Sequence, residues 1–207
     1  MRIKTLLAAM AAVASLAPIA AHAQAAEENP WMIRVRAVDV LYQNGQTGIA
    51  QEANVKAKNQ WIPEFDISYF FTKNIAAELV LTWPQQVNIT TGQGDAYLGK
   101  VTALPPSLLA QYHFTDLGAF KPYIGAGINY TIFGNRQNFA IPVQIEPSSV
   151  GFVGQIGMDY MLDKNWGLNV DVKYATMATN IQTTGGANLG KLTLNPWMPA
   201  VGVTYKF

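Results

Sequence analysis

The chain is expected to fold as an all-β protein, an eight-stranded antiparallel transmembrane β-barrel, and three observations predict it. Apolar and polar residues alternate at a period of two in eight stretches. Each stretch is near the roughly 9–11 residues that a tilted strand needs to cross a bilayer. The links between stretches alternate short and long. Half of the 207 residues are hydrophobic and 13% are charged, yet beyond the amino end no run stays apolar for the ~18 residues that mark a membrane helix.

The amino end reads as a separate unit. Arg2 and Lys4 give a basic start, Leu6 to Ile19 is apolar, and Ala21-His22-Ala23 places small residues where a signal peptidase reads. Residues 1–23 are therefore expected to be a cleavable signal peptide and residues 24–207 the barrel domain. A membrane anchor is the alternative, but the run falls short of the roughly 20 residues a spanning helix uses.

The eight strands are expected at 31–42, 61–71, 75–83, 101–114, 120–133, 149–161, 166–177 and 192–207. In the first, Arg34 and Arg36 share a face with Val38 and Val40. In the second, Trp61, Phe65, Ile67, Tyr69 and Phe71 oppose Glu64, Asp66 and Ser68. In the third, Ile75, Ala77, Leu79, Leu81 and Trp83 oppose Glu78 and Thr82. The fourth and fifth carry Gln111, His113 and Lys121 on the polar face. The sixth carries Gln155 and Asp159. In the seventh, Trp166, Leu168, Val170, Val172 and Tyr174 oppose Asn169, Asp171 and Lys173. The eighth ends with Val201, Val203, Tyr205 and Phe207 on one face.

A soluble sandwich also alternates, but two features favour the barrel. Trp31, Trp61, Trp83, Trp166, Tyr69, Tyr160 and Tyr174 stand at the ends of the apolar faces, as interfacial girdles do. Links 72–74, 115–119 and 162–165 are tight, whereas 43–60, 84–100, 134–148 and 178–191 are long, matching short periplasmic turns and longer external loops. An even strand number then puts both termini in the periplasm of a bacterial outer membrane and leaves no open edge.

Composition narrows the partners. There is no basic stripe, so nucleic acid is not expected. There is no cysteine, and His113 is the only histidine after the signal, so neither a metal site nor a cofactor is expected. The outward face is expected to meet outer-membrane lipid. It shows no polar seam, and a monomer is the default.

The inward face divides in two. Toward the periplasm stand Arg34, Arg36, Asp66, Glu78, Lys121, Asp159, Asp171 and Lys173, with Glu64 higher up. Buried charges must pair, and an eight-stranded barrel holds little more than side chains or one small ligand. A charged floor that plugs the lumen is expected; an ion or proton path is the alternative. Toward the outside stand Val38, Val40, Ile62, Val80, Phe133, Val153, Met177, Leu192 and Leu194. This apolar cup suits a small hydrophobic ligand; packing of loop residues into the mouth would explain it equally.

Pro63, Pro105, Pro106, Pro196 and Pro199 fall near the outer strand ends, where each removes a donor from the ladder. They mark either a lateral opening in the wall or plain strand termination. The loop at 134–148 carries Phe139, Ala140, Ile141, Val143 and Ile145, which extends the cup or makes a surface for a phage or toxin. No enzyme is expected. Ser107, the serine on the face of His113, is six residues away, roughly 20 Å along a strand. Gly125-Ala126-Gly127 precedes no helix and is not a phosphate loop; it allows close packing beside Tyr123.

Four segments in order carry a family resemblance: Trp31-Met32-Ile33-Arg34-Val35-Arg36, the stretch from Leu104-Pro105-Pro106-Ser107 to Gln111-Tyr112-His113-Phe114, Lys121-Pro122-Tyr123-Ile124-Gly125 to Tyr130, and the terminal Val203-Thr204-Tyr205-Lys206-Phe207. Together they resemble the OmpW family of small outer-membrane proteins across nearly all of residues 24–207. The resemblance implies an eight-stranded barrel with a narrow hydrophobic channel closed toward the periplasm. It implies uptake of small apolar molecules with sideways exit, or service as a toxin receptor, and it supplies no catalytic residues.

Overall fold

The computed structural model describes residues 29–92, 96–137 and 143–207. The signal-peptide expectation at 1–23 lies outside the described residues, as do Phe139, Ala140 and Ile141 of the apolar loop.

The elements in chain order are β1 (Trp31–Val40), β2 (Gly45–Gln46), the short helix α1 (Ile49–Glu52), β3 (Lys56–Ala57), β4 (Gln60–Phe70), β5 (Ile75–Thr82), β6 (Gln85–Thr91), β7 (Ala96–Leu104) and β8 (Ser107–His113). They continue with β9 (Phe120–Gln137), β10 (Val143–Ile145), β11 (Ser148–Met161), β12 (Trp166–Ala175), β13 (Ala178–Thr183), β14 (Asn188–Thr193) and β15 (Trp197–Lys206). Eight of these close the barrel in the order β1, β4, β5, β8, β9, β11, β12, β15 and back to β1, every pairing antiparallel. Closure leaves the sheet of eight without a free edge, so neighbouring strands satisfy one another's backbone donors, as an apolar solvent demands.

Side chains obey the period of two. Along β1 the even residues are buried from Met32 to Val40, and in β12 burial alternates from Trp166 to Ala175 without a slip. The outward residues Val35, Ile124, Ile128, Ile156, Leu168 and Val201 are exposed apolar groups for lipid. Around the end that holds both strand termini, aromatic side chains meet edge to face: Trp31 with Tyr69 at 4.9 Å, Tyr112 with Phe114 at 5.1 Å, and Trp166 with Tyr205 at 4.8 Å. Tyr174 and Trp197 pair nearer the other end, at 4.8 Å. Between β11 and β12, the Asp163 carboxylate accepts the backbone N–H groups of Asn165 (2.8 Å) and Trp166 (2.7 Å), which closes the turn. These two bonds hold the Asp163 carboxyl below the usual carboxylate range. A pKa lowered on folding stabilises above the unfolded value and is lost as pH falls through the folded one. Asp163 is therefore expected to titrate at lower pH than an unfolded control when followed by carboxyl NMR; an unshifted titration would show that the turn does not hold the ion.

The structure departs from the expected strands in three places. The stretch at 101–114 is two strands, because Pro105 and Pro106 interrupt it between β7 and β8. The loops expected at 84–100 and 178–191 instead contain the hairpins β6–β7 and β13–β14, at the barrel end away from the two chain termini. The last strand does not run from Leu192. Asn195, at φ 31, and Pro196 end one strand before β15 begins. Proline accounts for the breaks, since it cannot donate to a ladder. The hairpins were obscured by their polar outer faces: in β6 only Val87, Ile89 and Thr90 are buried, while Gln86 and Asn88 are exposed.

Candidate functional site: an apolar cup over a charged floor

The floor is built by all eight barrel strands. Arg34 on β1 meets Asp159 of β11 with two parallel bonds, Nε to Oδ1 at 3.1 Å and a terminal nitrogen to Oδ2 at 2.8 Å. Its other terminal nitrogen lies 3.3 Å from Asp66 of β4 and 3.3 Å from Glu78 of β5. Arg36 bonds Asp66, stands 3.0 Å from Glu78 and 2.9 Å from Glu64, and reaches Asp171 of β12 at 3.4 Å. Lys173 sits 2.8 Å from both Glu64 and Asp171. Tyr123 of β9 donates to Asp171 at 2.9 Å, and Thr204 of β15 donates to Asp159. From β8, Gln111 donates to Gln155 (2.9 Å), which donates to Asp171 (2.8 Å).

Arg34, Arg36, Asp66 and Glu78 are almost wholly buried. Such charges persist in a low-dielectric interior only when paired and hydrogen-bonded, and here each guanidinium is shared among carboxylates from different strands. The network fills the lumen and ties opposite walls together. Arg34 also stacks over the Tyr123 ring at 4.7 Å, and the His113 ring stacks on the same Tyr123 ring at 5.0 Å.

One glycine makes room for this. A Cβ on Gly157 would stand 2.4 Å from the Tyr123 ring and hydroxyl, so Gly157→Ala must push Tyr123 out of the network. The expected cost is about 1–3 kcal/mol, as for overpacking in a filled core. Gly154 on the same strand has nothing within 4 Å of the added carbon, so Gly154→Ala should be close to neutral. Urea unfolding of both variants in lipid vesicles checks the contrast; equal midpoints would show that Tyr123 can yield freely.

Above the floor lies a cavity of about 310 Å³, at the low end of the range for small-molecule sites. Lys173 and Glu64 form its base, and the rest of its wall is mainly apolar. Of the cup residues expected from sequence, Val40, Ile62, Val80, Phe133, Met177, Leu192 and Leu194 line it. Val38 and Val153 do not: both are buried one layer lower, packed against Ala200 and against Leu109 and Ala175 respectively. Lys121 also differs from the expected floor. It sits half-buried at the rim and bonds the Thr115 carbonyl instead of joining the carboxylates. Sequence reading missed Ala50 and Val55 before β4, and Val87, Ile89 and Val101 of the outer hairpin, all of which line the cavity. The period of two at 87–89 and 101–103 was the signal available for the last three.

The wall is interrupted beside the cavity. The β5–β8 ladder ends at the pair Val80–Ser107, and the next pair across the same seam is Gln85–Ala103 between β6 and β7. Among the described residues no ladder pair joins 81–84 to 104–106. Pro84, Pro105 and Pro106 occupy this gap. The 105–106 segment is held to the other neighbour: Pro106 O accepts from Tyr130 N at 3.0 Å, and Asn129 Nδ2 reaches Ser107 Oγ at 2.9 Å. Val80, Thr82, Gln85, Ala103, Pro105 and Ser107, from both edges, line the cavity. Pro63 and Pro199, by contrast, sit in unbroken registers opposite Ala37 and Val172. Ser107 and His113 stand at opposite ends of β8, each with a different partner, Asn129 and Gln111.

A closed, lipid-facing barrel with a plugged base and an apolar pocket at its mouth defines a small outer-membrane-type barrel. The chain matches the OmpW family over residues 27–207 and belongs to it. It is 43% identical over 188 residues to the uncharacterized outer-membrane protein y4mB of Sinorhizobium fredii, covering 88% of this chain and 82% of that one. It is 30% identical to outer membrane protein W of Vibrio cholerae, covering 97% of each. It is 27% identical to the dibenzothiophene metabolism operon protein PahQ of Pseudomonas aeruginosa, covering 88% and 90%. Among solved structures, the outer membrane protein OprG of Pseudomonas aeruginosa superposes with a TM-score of 0.74 at 23% identity, over 87% of this chain and 97% of that one. These relatives place the barrel among outer-membrane proteins, in contact with membrane lipid.

Proposed function

We propose that the protein is a non-enzymatic outer-membrane channel for passive uptake of small hydrophobic molecules. A solute enters the apolar cup from outside, is stopped by the charged floor, and leaves sideways through the break at Pro105-Pro106 into the bilayer. The observation that carries this is the coincidence of cavity and gap: the residues on both edges of the missing ladder are cavity wall. A charged or strongly polar solute gains little from such mainly apolar walls, and the ion network fills the lumen below. In this arrangement the tight turns and both termini face the periplasm and the hairpins face out. The dibenzothiophene operon in the name of PahQ, an apolar aromatic setting, fits the same solute class.

The test is uptake by liposomes or cells carrying the barrel. Restoring donors at the gap with Pro105→Val and Pro106→Thr is expected to reduce apolar uptake severalfold while the barrel still migrates as folded on an unboiled gel. Undiminished uptake in that folded variant would reject sideways exit. Equal apolar uptake with and without wild-type barrel would reject transport and leave a receptor or structural role.

A further inference from the structure

The cup wall is not uniformly apolar, and two of its polar atoms have no partner among the described residues. Gln60 Nε2 and Thr82 Oγ1 are buried without a hydrogen bond to any of these, and both residues line the cavity. The other Ser, Thr, Asn, Gln, Lys and Glu side chains of that wall are partnered. Lys173 and Glu64 hold each other, Ser107 and Asn129 hold each other, and Gln85, Thr91 and Thr179 donate to backbone carbonyls.

Their placement is not scattered. Gln60 opens β4, Thr82 closes β5, and the β4–β5 ladder has its last pair at Glu64–Thr82. Thr82 is also an edge of the gap described above. Thr82 therefore stands where the cup meets its side exit, and Gln60 stands on the cup wall at the start of the neighbouring strand. A buried donor left without an acceptor destabilises the empty site. An occupant that supplies the acceptor removes that penalty, and a site so built rejects analogues lacking the group more strongly than a plain apolar pocket rejects a missing methylene. A charged head group does not fit: the charges at the base, Lys173 and Glu64, already neutralise each other, and burying a further unpaired ion is costly.

We propose that the cup selects neutral apolar molecules bearing one hydrogen-bond-accepting oxygen (ketones, aldehydes, esters or alcohols) over pure hydrocarbons, with the Gln60 amide and the Thr82 hydroxyl as the polar contacts. This rests on the channel reading above and names its solute class.

The barrel in lipid nanodiscs is titrated with 2-octanone and with n-nonane, each at known membrane-phase concentration. The readouts are the Gln60 side-chain amide and the Thr82 methyl group by NMR. The ketone is expected to bind about tenfold more tightly, which is about 1.4 kcal/mol, and to move the Gln60 amide proton downfield where nonane does not. Gln60→Leu combined with Thr82→Val is expected to bring the two affinities within about twofold while nonane binding persists; Thr82→Ser keeps the preference. Equal binding of both compounds by the wild type, with no Gln60 response, overturns the selectivity but leaves the channel standing. Binding of neither compound overturns the cup as a solute site, and the selectivity falls with it. The wild-type amide response needs no variant, so a misfolded double variant does not remove the test.

Discussion

Arg36→Met is expected to lower the unfolding free energy of the barrel by about 3–5 kcal/mol, the usual loss when one partner of a buried ion network is removed. Arg36 lies against four carboxylates, those of Glu64, Asp66, Glu78 and Asp171. Without it, among the described residues, Asp66 and Glu78 keep only Arg34 within ion-pair distance, and Glu64 keeps only Lys173. The apolar Met side chain fills part of the volume but neutralises nothing. Lys121→Gln, at the rim and outside the network, should cost less than about 1 kcal/mol. Equilibrium unfolding in urea, followed by tryptophan fluorescence in vesicles, separates the two. Equal small losses would mean that water reaches the floor and that the plug is not dry. In that case the lumen would regain the ion-path reading that the closed network argues against.

Leu194→Asp is expected to reduce uptake of small apolar solutes about 10–100-fold with the fold retained. Leu194 is buried in the cluster that walls the cup, beside Met177 and Leu192. Replacing it removes roughly 1.5–3 kcal/mol of apolar contact available to an occupant, and each 1.4 kcal/mol is about tenfold. It also sets a hydrated carboxylate at the pocket surface. In the orientation proposed above the mouth opens outward, so that carboxylate can reach water and the barrel below need not unfold. Uptake measured beside gel mobility of the unboiled protein reads both effects. Unchanged uptake in a folded Leu194→Asp barrel would show that solutes do not pass through the cup.

The fold was legible because a barrel wall is a repeated local pattern. Period two, aromatic ends and alternating link lengths are all short-range properties, and six of the eight expected strands match single barrel strands to within a few residues. The charged floor was legible for the same reason: alternation assigns Arg34, Asp66, Glu78, Asp159, Asp171 and Lys173 to the inner face before any contact is known. The upper part of the molecule was less so. There the strands leave the bilayer, the outer face becomes polar, and the hairpins β6–β7 and β13–β14 lose the contrast that marks a lipid-facing strand. Val38 and Val153 were assigned to the cup because alternation fixes the face of a residue but not its depth.

By itself the sequence determined the strand number, the inner and outer faces, the girdles and the sign of each lumen charge, since these depend on spacing along one chain. Only the tertiary structure decided which carboxylate meets which cation, because those pairs join strands far apart in the chain, as Arg36 of β1 and Asp171 of β12 do. It also decided which prolines matter. Pro63 and Pro199 are absorbed by neighbours in register, whereas Pro105 and Pro106 lie, with Pro84, in the stretch of the seam that no ladder pair bridges among the described residues. A missing donor makes a gap only when the strand across from it has also stopped, and that is a property of two strands brought together, which neither segment carries alone.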